Sequence, residues 1–336
     1  MLARPDTPAP RPRAIAAWLL IVAALVFAMV VVGGITRLTE SGLSMVRWEP
    51  VSGAVPPLNG AQWQAEFDRY KASPQYEQMN RGMSLGDFKA IYFWEYLHRL
   101  LGRLIGLAFA LPFAWFAWRR AIPPGAAWKL GGILALGALQ GAIGWWMVAS
   151  GLVDRPDVSH IRLAVHLLTA LAIFAGLIWV ALDLKARSRI PLLGIWTLCA
   201  LFLQFMFGAY VAGLDAGYAF NTWPTMGGAL YPAGAEWMSP AIRNFVDNPI
   251  TVQFVHRWLA FAVAALAIAL AIRGWKARLA WESTALALAV AAQVMLGILT
   301  LVSGVMIEIA VSHQAMAVLL LAMTLVTAHR LGEARA

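Results

Sequence analysis

Four histidines are the residues of this sequence best placed to do chemistry. The chain has six histidines in 336 residues, and His98, His166, His256 and His313 fall inside long apolar stretches. An ionisable side chain inside a membrane span is costly, so it indicates a site or a partner. Two histidines that face each other in a helical bundle form a natural pair of axial ligands for haem iron. The four histidines therefore predict two haem sites.

Three arginines accompany these histidines. Arg99 and Arg257 each directly follow one of the four, and Arg162 lies one turn before another. Guanidinium groups hold carboxylates by charge-assisted hydrogen bonds, so these arginines are candidates for binding haem propionates. They would equally serve as interfacial anchors without any ligand, and the sequence leaves both interpretations open.

Helices that cross a membrane must position these side chains. The chain is 61% hydrophobic and 13% charged, which is too apolar for an ordinary soluble domain. About 20 consecutive apolar residues span a bilayer as a helix. Eight such windows occur, at residues 14–32, 91–118, 130–149, 161–182, 190–212, 252–272, 283–302 and 309–328. The predicted fold class is all-α, a polytopic membrane protein with eight transmembrane helices.

The net charge of +9 predicts topology rather than nucleic-acid binding, because the basic residues fall in alternate connections. By the positive-inside rule that side is cytoplasmic. We therefore expect a bacterial inner-membrane protein with a cytoplasmic tail at residues 1–13 and both termini in the cytoplasm. The basic residues are Arg4, Arg11, Arg13, Arg119, Arg120, Lys129, Lys185, Arg187, Arg189, Arg273, Lys276, Arg278, Arg330 and Arg335.

An internal repeat divides the chain into two halves. In the first half, Gln140 and Gly144 are followed by Ser150-Gly151. In the second half, Gln293 and Gly297 are followed at the same offsets by Ser303-Gly304. Each half also carries two of the four histidines at matching places. We predict two pseudo-symmetric four-helix bundles, at residues 14–183 and 184–336, in a parallel repeat. Each half has a long external segment, at 33–90 and 213–251, where we expect short helices that form a lid.

The two halves differ beside their first histidine. Glu95 lies three residues before His98 and shares its helix face, whereas the matching residue of the second half is Gln253. This difference favours a permanent electron-transfer haem in the C-terminal half. It favours chemistry in the N-terminal half, with Glu95 as a proton acceptor or a stabiliser of developing positive charge. A simple helix pair between Glu95 and Arg99 is the alternative.

Two other residues carry weaker expectations. The one cysteine, Cys199, excludes a disulfide within the chain and is expected to be a small core residue. His329 lies beside Arg330 at the predicted cytoplasmic end, where we expect it on the surface.

Several long motifs, in order along nearly the whole chain, carry a family resemblance. The sequence resembles the haem A synthase family in the form found in alphaproteobacteria and mitochondria. The motifs are GGITRLTESGLSM at 33–45, WEP at 48–50, PPL at 56–58, NRGM at 80–83, FK at 88–89, EYLHRLLGR at 95–103, GLDAG at 213–217 and NTWP at 221–224.

The resemblance implies that a ring methyl of haem O is oxidised to a formyl group, giving haem A for terminal oxidases. It places a haem b cofactor on His256 and His313, the substrate on His98 and His166, and a carboxylate at Glu95. It also implies haem O synthase as the enzyme that supplies the substrate, contact with membrane lipid, and homo-oligomers. The cysteine pair of some bacterial relatives is missing here.

Two other functions remain compatible with the same histidines. One is a di-haem b-type electron-transfer protein, which would not need Glu95. The other is a haem carrier for oxidase assembly, which needs only one accessible site. Pigment analysis and a Glu95 variant discriminate these functions from the enzyme.

Overall fold

The computed structural model describes residues 10–49, 52–153, 155–232 and 235–333. Within these ranges it contains ten α-helices and no β-strand, and eight of the helices are long and apolar enough to cross a membrane. The predicted all-α fold class and the number of spans are confirmed. The α-helices are α1 (Pro12–Leu38), α2 (Gly60–Lys71), α3 (Pro74–Gln78), α4 (Leu85–Trp118), α5 (Ala127–Ala149), α6 (His160–Asp183), α7 (Leu192–Gly213), α8 (Pro249–Lys276), α9 (Ala280–Val302) and α10 (Ile307–Glu333).

Several predicted features lie partly outside the described residues. These are positions 1–9 of the tail with Arg4, Arg335, the last residue of the WEP motif, positions 50–51 and 233–234 of the two external segments, and positions 154 and 334–336 of the two predicted halves. Several spans are longer than their apolar windows. Helix α4 begins six residues before the predicted window, because the Ser84 hydroxyl accepts a hydrogen bond from the Asp87 amide and caps the helix. Its 34 residues extend roughly 51 Å at 1.5 Å per residue, so its ends project beyond the hydrocarbon core of the bilayer.

The basic connections lie at one end of the helices. The Arg11 amide donates a hydrogen bond to the Ala121 carbonyl at 2.9 Å, which ties the start of α1 to the connection after α4. The Lys129 ammonium lies 2.6 Å from an Asp183 carboxylate oxygen, and this ion pair joins α5 to α6. The Ser188 hydroxyl donates to the His329 carbonyl at 2.6 Å. Alternate connections therefore share one face, as the charge pattern predicts.

One apolar core runs through both halves of the chain. It includes the fully buried Leu19 of α1, Leu177 of α6, Leu201 of α7 and Leu321 of α10. The two halves also meet through a polar contact, because the Gln314 carboxamide of α10 donates to a backbone carbonyl of α1 at 2.8 Å. The division at residue 183 into two pseudo-symmetric bundles stays a prediction.

The first external segment contains the expected short helices, α2 and α3. Phe67 and Tyr70 of α2 pack on Phe88 at the start of α4, with ring centres 5.0 and 5.3 Å apart. Burial raises the pKa of the Tyr70 phenol, which keeps it neutral, and it donates to the Gln75 carboxamide oxygen at 3.0 Å. The second external segment has two 3-10 turns, Ala216–Tyr218 and Ala241–Phe245.

Two sequence expectations were wrong. His329 is fully buried, since its ring packs on Trp179 with centres 4.7 Å apart and pairs with Glu333 at 2.9 Å. A residue at a helix end is therefore buried when that end packs against neighbouring helices, even if an arginine follows it. Cys199 is exposed on the outside of α7, because the apolar sequence of a membrane helix does not distinguish its lipid side from its core side.

Candidate functional site

The N-terminal histidines face each other across the bundle. His98 of α4 and His166 of α6 have ring centres 6.5 Å apart, and their planes differ by 30°. A bond between a metal and an imidazole nitrogen is about 2 Å long, so two imidazoles that share one metal have ring centres about 6 Å apart. The pair therefore fits a single iron between its two rings.

The C-terminal histidines lie on two different helices of the second half of the chain. His256 lies on α8 and His313 on α10, and these two helices pack against each other. No group of three or more histidine, cysteine or acidic residues that would hold a metal ion occurs among the residues the structure describes. Within the described part of the chain, the coordination on offer is therefore a pair of imidazoles rather than a polydentate metal cage.

Each of the four imidazoles packs directly on a glycine of a neighbouring helix. A side chain at any of these glycines would begin 2.9–3.1 Å from the imidazole Cε1 atom, which is closer than carbon atoms normally approach. The absence of a side chain is therefore what lets the ring lie against the helix backbone. The pairs are Gly33 with His98, Gly144 with His166, Gly208 with His256 and Gly297 with His313.

Two glutamines support the imidazoles from the same helices as the glycines. The Gln140 Nε2 atom lies 3.1 Å from His166 Nδ1 and donates to the His166 carbonyl at 3.0 Å. The Gln204 Nε2 atom lies 3.1 Å from His256 Nδ1 and donates to the His256 carbonyl at 2.9 Å. The sequence interpretation used Gln140 only as a marker of the repeat and missed Gln204. The shared spacing Gln-x-x-x-Gly was the available signal.

Substituting a glycine under an imidazole tests this packing. In Gly144→Ala the new methyl group would lie 3.0 Å from His166 Cε1, so the ring must shift. We expect haem bound by the N-terminal pair to fall several-fold, measured from the optical spectrum of the purified protein. Gly141→Ala on the same helix is the matched control, because nothing lies within 4 Å of the new methyl group. Equal haem binding by both variants would contradict the packing role.

The Glu95 carboxylate is buried and fully engaged. Only 3% of the surface of Glu95 is exposed. One oxygen accepts hydrogen bonds from the Ser44 hydroxyl and the Met45 amide, both at 2.7 Å, and the other pairs with Arg99 at 2.5 Å. The helix pair considered in the sequence analysis is thus formed, and the same carboxylate also ties the first external segment to α4.

The difference between Glu95 and Gln253 matches a difference in the backbone groups they meet. Glu95 accepts from the Met45 amide, whereas the Gln253 carboxamide donates to the Phe220 carbonyl at 3.0 Å. The Glu95 carboxylate thus accepts from an amide of the first external segment, and the Gln253 carboxamide donates to a carbonyl of the second. Sequence reasoning did not see this structural reason for the asymmetry, because both contacts join residues far apart in the chain.

Each of the three candidate propionate ligands donates hydrogen bonds to backbone carbonyls. Arg99 donates to the carbonyls of Met45 and Arg47, each at 2.8 Å. Arg257 donates to the carbonyls of Phe220 and Thr222, also at 2.8 Å. Each arginine therefore ties one external segment to the helix that carries the preceding histidine.

Arg162 is held differently. It donates to the Trp146 carbonyl at 2.7 Å, and its guanidinium lies 4.6 Å from the centre of the same tryptophan ring. This contact joins the last turns of α5 to the first turn of α6, which places a positive charge one turn from His166.

Known proteins are similar to this chain over nearly its whole length. A model of the family described as "Cytochrome oxidase assembly protein" matches residues 16–325. Three relatives named "Heme A synthase" are similar over nearly their whole length. That of Rhizorhabdus wittichii is 55% identical, covering 99% of this chain and 98% of its own. That of Sphingopyxis alaskensis is 52% identical, covering 97% and 94%, and that of Rhodospirillum centenum is 49% identical, covering 98% and 91%. The chain belongs to the COX15-CtaA family of cytochrome oxidase assembly proteins.

Proposed function

We propose that this protein is a haem A synthase that oxidises a ring methyl group of haem O to a formyl group. The observation that carries the proposal is the His98–His166 pair, with ring centres 6.5 Å apart and the Glu95 carboxylate one turn away on α4. Near-full-length similarity to proteins named "Heme A synthase" supports the same conclusion.

We assign different roles to the two histidine pairs. His98 and His166, in the half at residues 14–183, hold the substrate haem O. His256 and His313, in the half at 184–336, hold a resident haem b. The support is the acid at position 95, whose counterpart in the second half is the neutral Gln253. A carboxylate beside only one pair suits a site where protons are released.

The reaction converts a methyl group into a formyl group, so the methyl carbon gains one oxygen atom and gives up four electrons in total to an electron acceptor. A haem b held by His256 and His313 would supply a one-electron carrier for these electrons. Within the chain, Glu95 is positioned to accept a proton or to stabilise developing positive charge. Its partners Ser44 and Arg99 keep the carboxylate oriented, while Arg99, Arg162 and Arg257 place positive charge at the external side, where haem propionates would lie.

The spans and their charges support a proposed placement in the cell. Eight apolar helices make this a multi-pass membrane protein, and the basic connections favour the bacterial inner membrane with both termini in the cytoplasm. Haem O is a lipophilic product of haem O synthase, the protohaem farnesyltransferase, so we propose delivery within the same membrane. We also propose that copies of the chain associate as a homo-oligomer.

Pigment analysis tests the proposed activity. The protein is purified after co-expression with haem O synthase, and its pigments are extracted and separated. We expect haem A, together with a hydroxylated intermediate, and haem b that remains bound when haem O is not supplied. Recovery of haem O and haem b alone would contradict the enzyme and favour the haem carrier. Haem b alone at both pairs would favour the di-haem electron-transfer protein.

A further inference from the structure

The turn that follows α1 has a backbone conformation that its residue type does not favour. Glu40 has a φ of 52°, in the left-handed region where glycine is the usual residue at the end of a helix. The Ser41 amide closes the turn by donating to the Thr36 carbonyl at 2.9 Å, as in a Schellman motif. A residue with a side chain persists in this conformation where the surrounding structure holds it there.

A buried glutamine of the first external segment holds this turn. The Gln75 Nε2 atom of α3 donates to the Glu40 carbonyl at 3.0 Å, and its Oε1 atom accepts from the Tyr70 hydroxyl of α2 at 3.0 Å. The Tyr70 oxygen in turn accepts from the Asn80 carboxamide at 2.7 Å. Gln75 is 2% exposed and Tyr70 is fully buried, so these hydrogen bonds are shielded from water and strengthened.

The residues that follow the turn supply the hydrogen bonds to Glu95. Ser44 and Met45 lie four and five residues after Glu40, and their hydroxyl and amide donate to the same carboxylate oxygen. The Met45 carbonyl also accepts from Arg99, the cation that pairs with the acid. The Met45 side chain is buried in an aromatic cluster that includes residues of α2. Displacement of the turn would therefore move both partners of the carboxylate.

The matching turn of the second half is held differently. Asp215 lies seven residues after Gly208, as Glu40 lies seven residues after Gly33, and it is also left-handed, with a φ of 51°. Its carboxylate pairs with the Arg37 guanidinium at 3.0 Å. The hold from α2 and α3 is thus found at the turn that serves the acid.

We propose that Tyr70 and Gln75 are positioning residues for the proposed reaction. They hold the turn after α1, and this turn holds the Glu95 carboxylate through its two hydrogen-bond donors. The inference rests on the proposed role of Glu95. Because a misplacement of about 1 Å can cost roughly 100-fold in rate, loosening the turn lowers the turnover number rather than the affinity for haem O.

Substituting the glutamine tests the proposal directly. The leucine of Gln75→Leu has a similar size, but it neither donates to the turn nor accepts from Tyr70. We expect the turnover number of haem A formation to fall at least about 10-fold, while the KM for haem O and the C-terminal haem b spectrum stay unchanged. Amide hydrogen exchange at Ser44 and Met45 should become faster, because the turn opens more often. Gln78→Leu, at an exposed position of the same helix, is the matched control and should behave as the parent protein does.

A double-variant cycle separates positioning from a general loss of stability. If Gln75 acts through Glu95, then Gln75→Leu should add no further loss of turnover to Glu95→Gln, because residues that act as a unit are not additive. Losses that multiply in the double variant would overturn the proposal. So would a Gln75→Leu protein whose amide exchange and haem A formation match those of the parent.

A milder variant decides the matter if Gln75→Leu does not fold. Tyr70→Phe keeps the ring that packs on Phe88 and removes only the hydroxyl that orients Gln75, so it should lower the turnover number several-fold and speed the same amide exchange. Tyr76→Phe is its control, because the Tyr76 hydroxyl accepts from the Gly82 amide at 3.3 Å and not from this network. Equal behaviour of the two tyrosine variants would overturn the proposal. A parent protein that forms no haem A would refute the proposed activity, whereas amide exchange would still decide whether the network holds the turn.

Discussion

Replacing Glu95 by glutamine is expected to lower haem A formation by at least about 100-fold, because a positioned general base contributes roughly 10²- to 10⁴-fold to a rate. The substitution preserves the shape of the side chain and an oxygen that accepts from the Met45 amide. It removes the charge that pairs with Arg99. Extracted pigments report haem A, and the optical spectrum should show that the C-terminal haem b is retained.

The control for this prediction separates chemistry from the positioning of the external segment. Ser44→Ala removes one hydrogen bond to the carboxylate but leaves its charge in place, so we expect it to keep most of the haem A yield. Equal losses in Ser44→Ala and Glu95→Gln would show that Glu95 acts by holding the external segment. Normal haem A formation by Glu95→Gln would contradict the role of Glu95 as a proton acceptor or a stabiliser of positive charge.

Substitutions of the histidines are expected to separate the two pairs. His256→Leu or His313→Leu removes an axial ligand from the resident haem, so the purified protein should lose its haem b spectrum. His98→Leu or His166→Leu should keep that spectrum and lose haem A formation, because the substrate pair then has one ligand. Optical spectra and pigment extraction of the four variants measure both outcomes.

His160→Gln is the matched control for these four variants. His160 also lies near the external end of a span, but it pairs with Asp247 at 3.3 Å rather than with another histidine. We expect its haem b spectrum and its haem A formation to remain. Loss of haem b from the N-terminal substitutions alone would reverse the assignment of the two halves.

The spans and the histidine pairs were predictable because their signals are local. Hydropathy windows, alternating basic connections and a repeated motif each need only short stretches of sequence, and they placed His98 and His166 in one half. Helix ends were less predictable, since a helix continues past its apolar window. For α4 the capping pair of Ser84 and Asp87 was visible in the sequence but was overlooked.

Side-chain partners were not predictable from the same signals. The contacts of Glu95 with Ser44 and Met45 join residues about 50 positions apart, and nothing in the sequence states which external residue returns to α4. The buried position of His329 and the exposed position of Cys199 depend on which helices are neighbours. Periodicity along a uniformly apolar helix does not encode that information.

The contact between α10 and α1 has a consequence for how the two iron sites communicate. Gln314 directly follows His313 and donates to the Val30 carbonyl, and its carboxamide leaves no room for a side chain at Gly34. The preceding residue on α1 is Gly33, on which His98 packs. A single stretch of backbone thus serves both centres, and any change in affinity that loading one centre causes at the other must, by thermodynamic reciprocity, be matched by the same factor in the opposite direction.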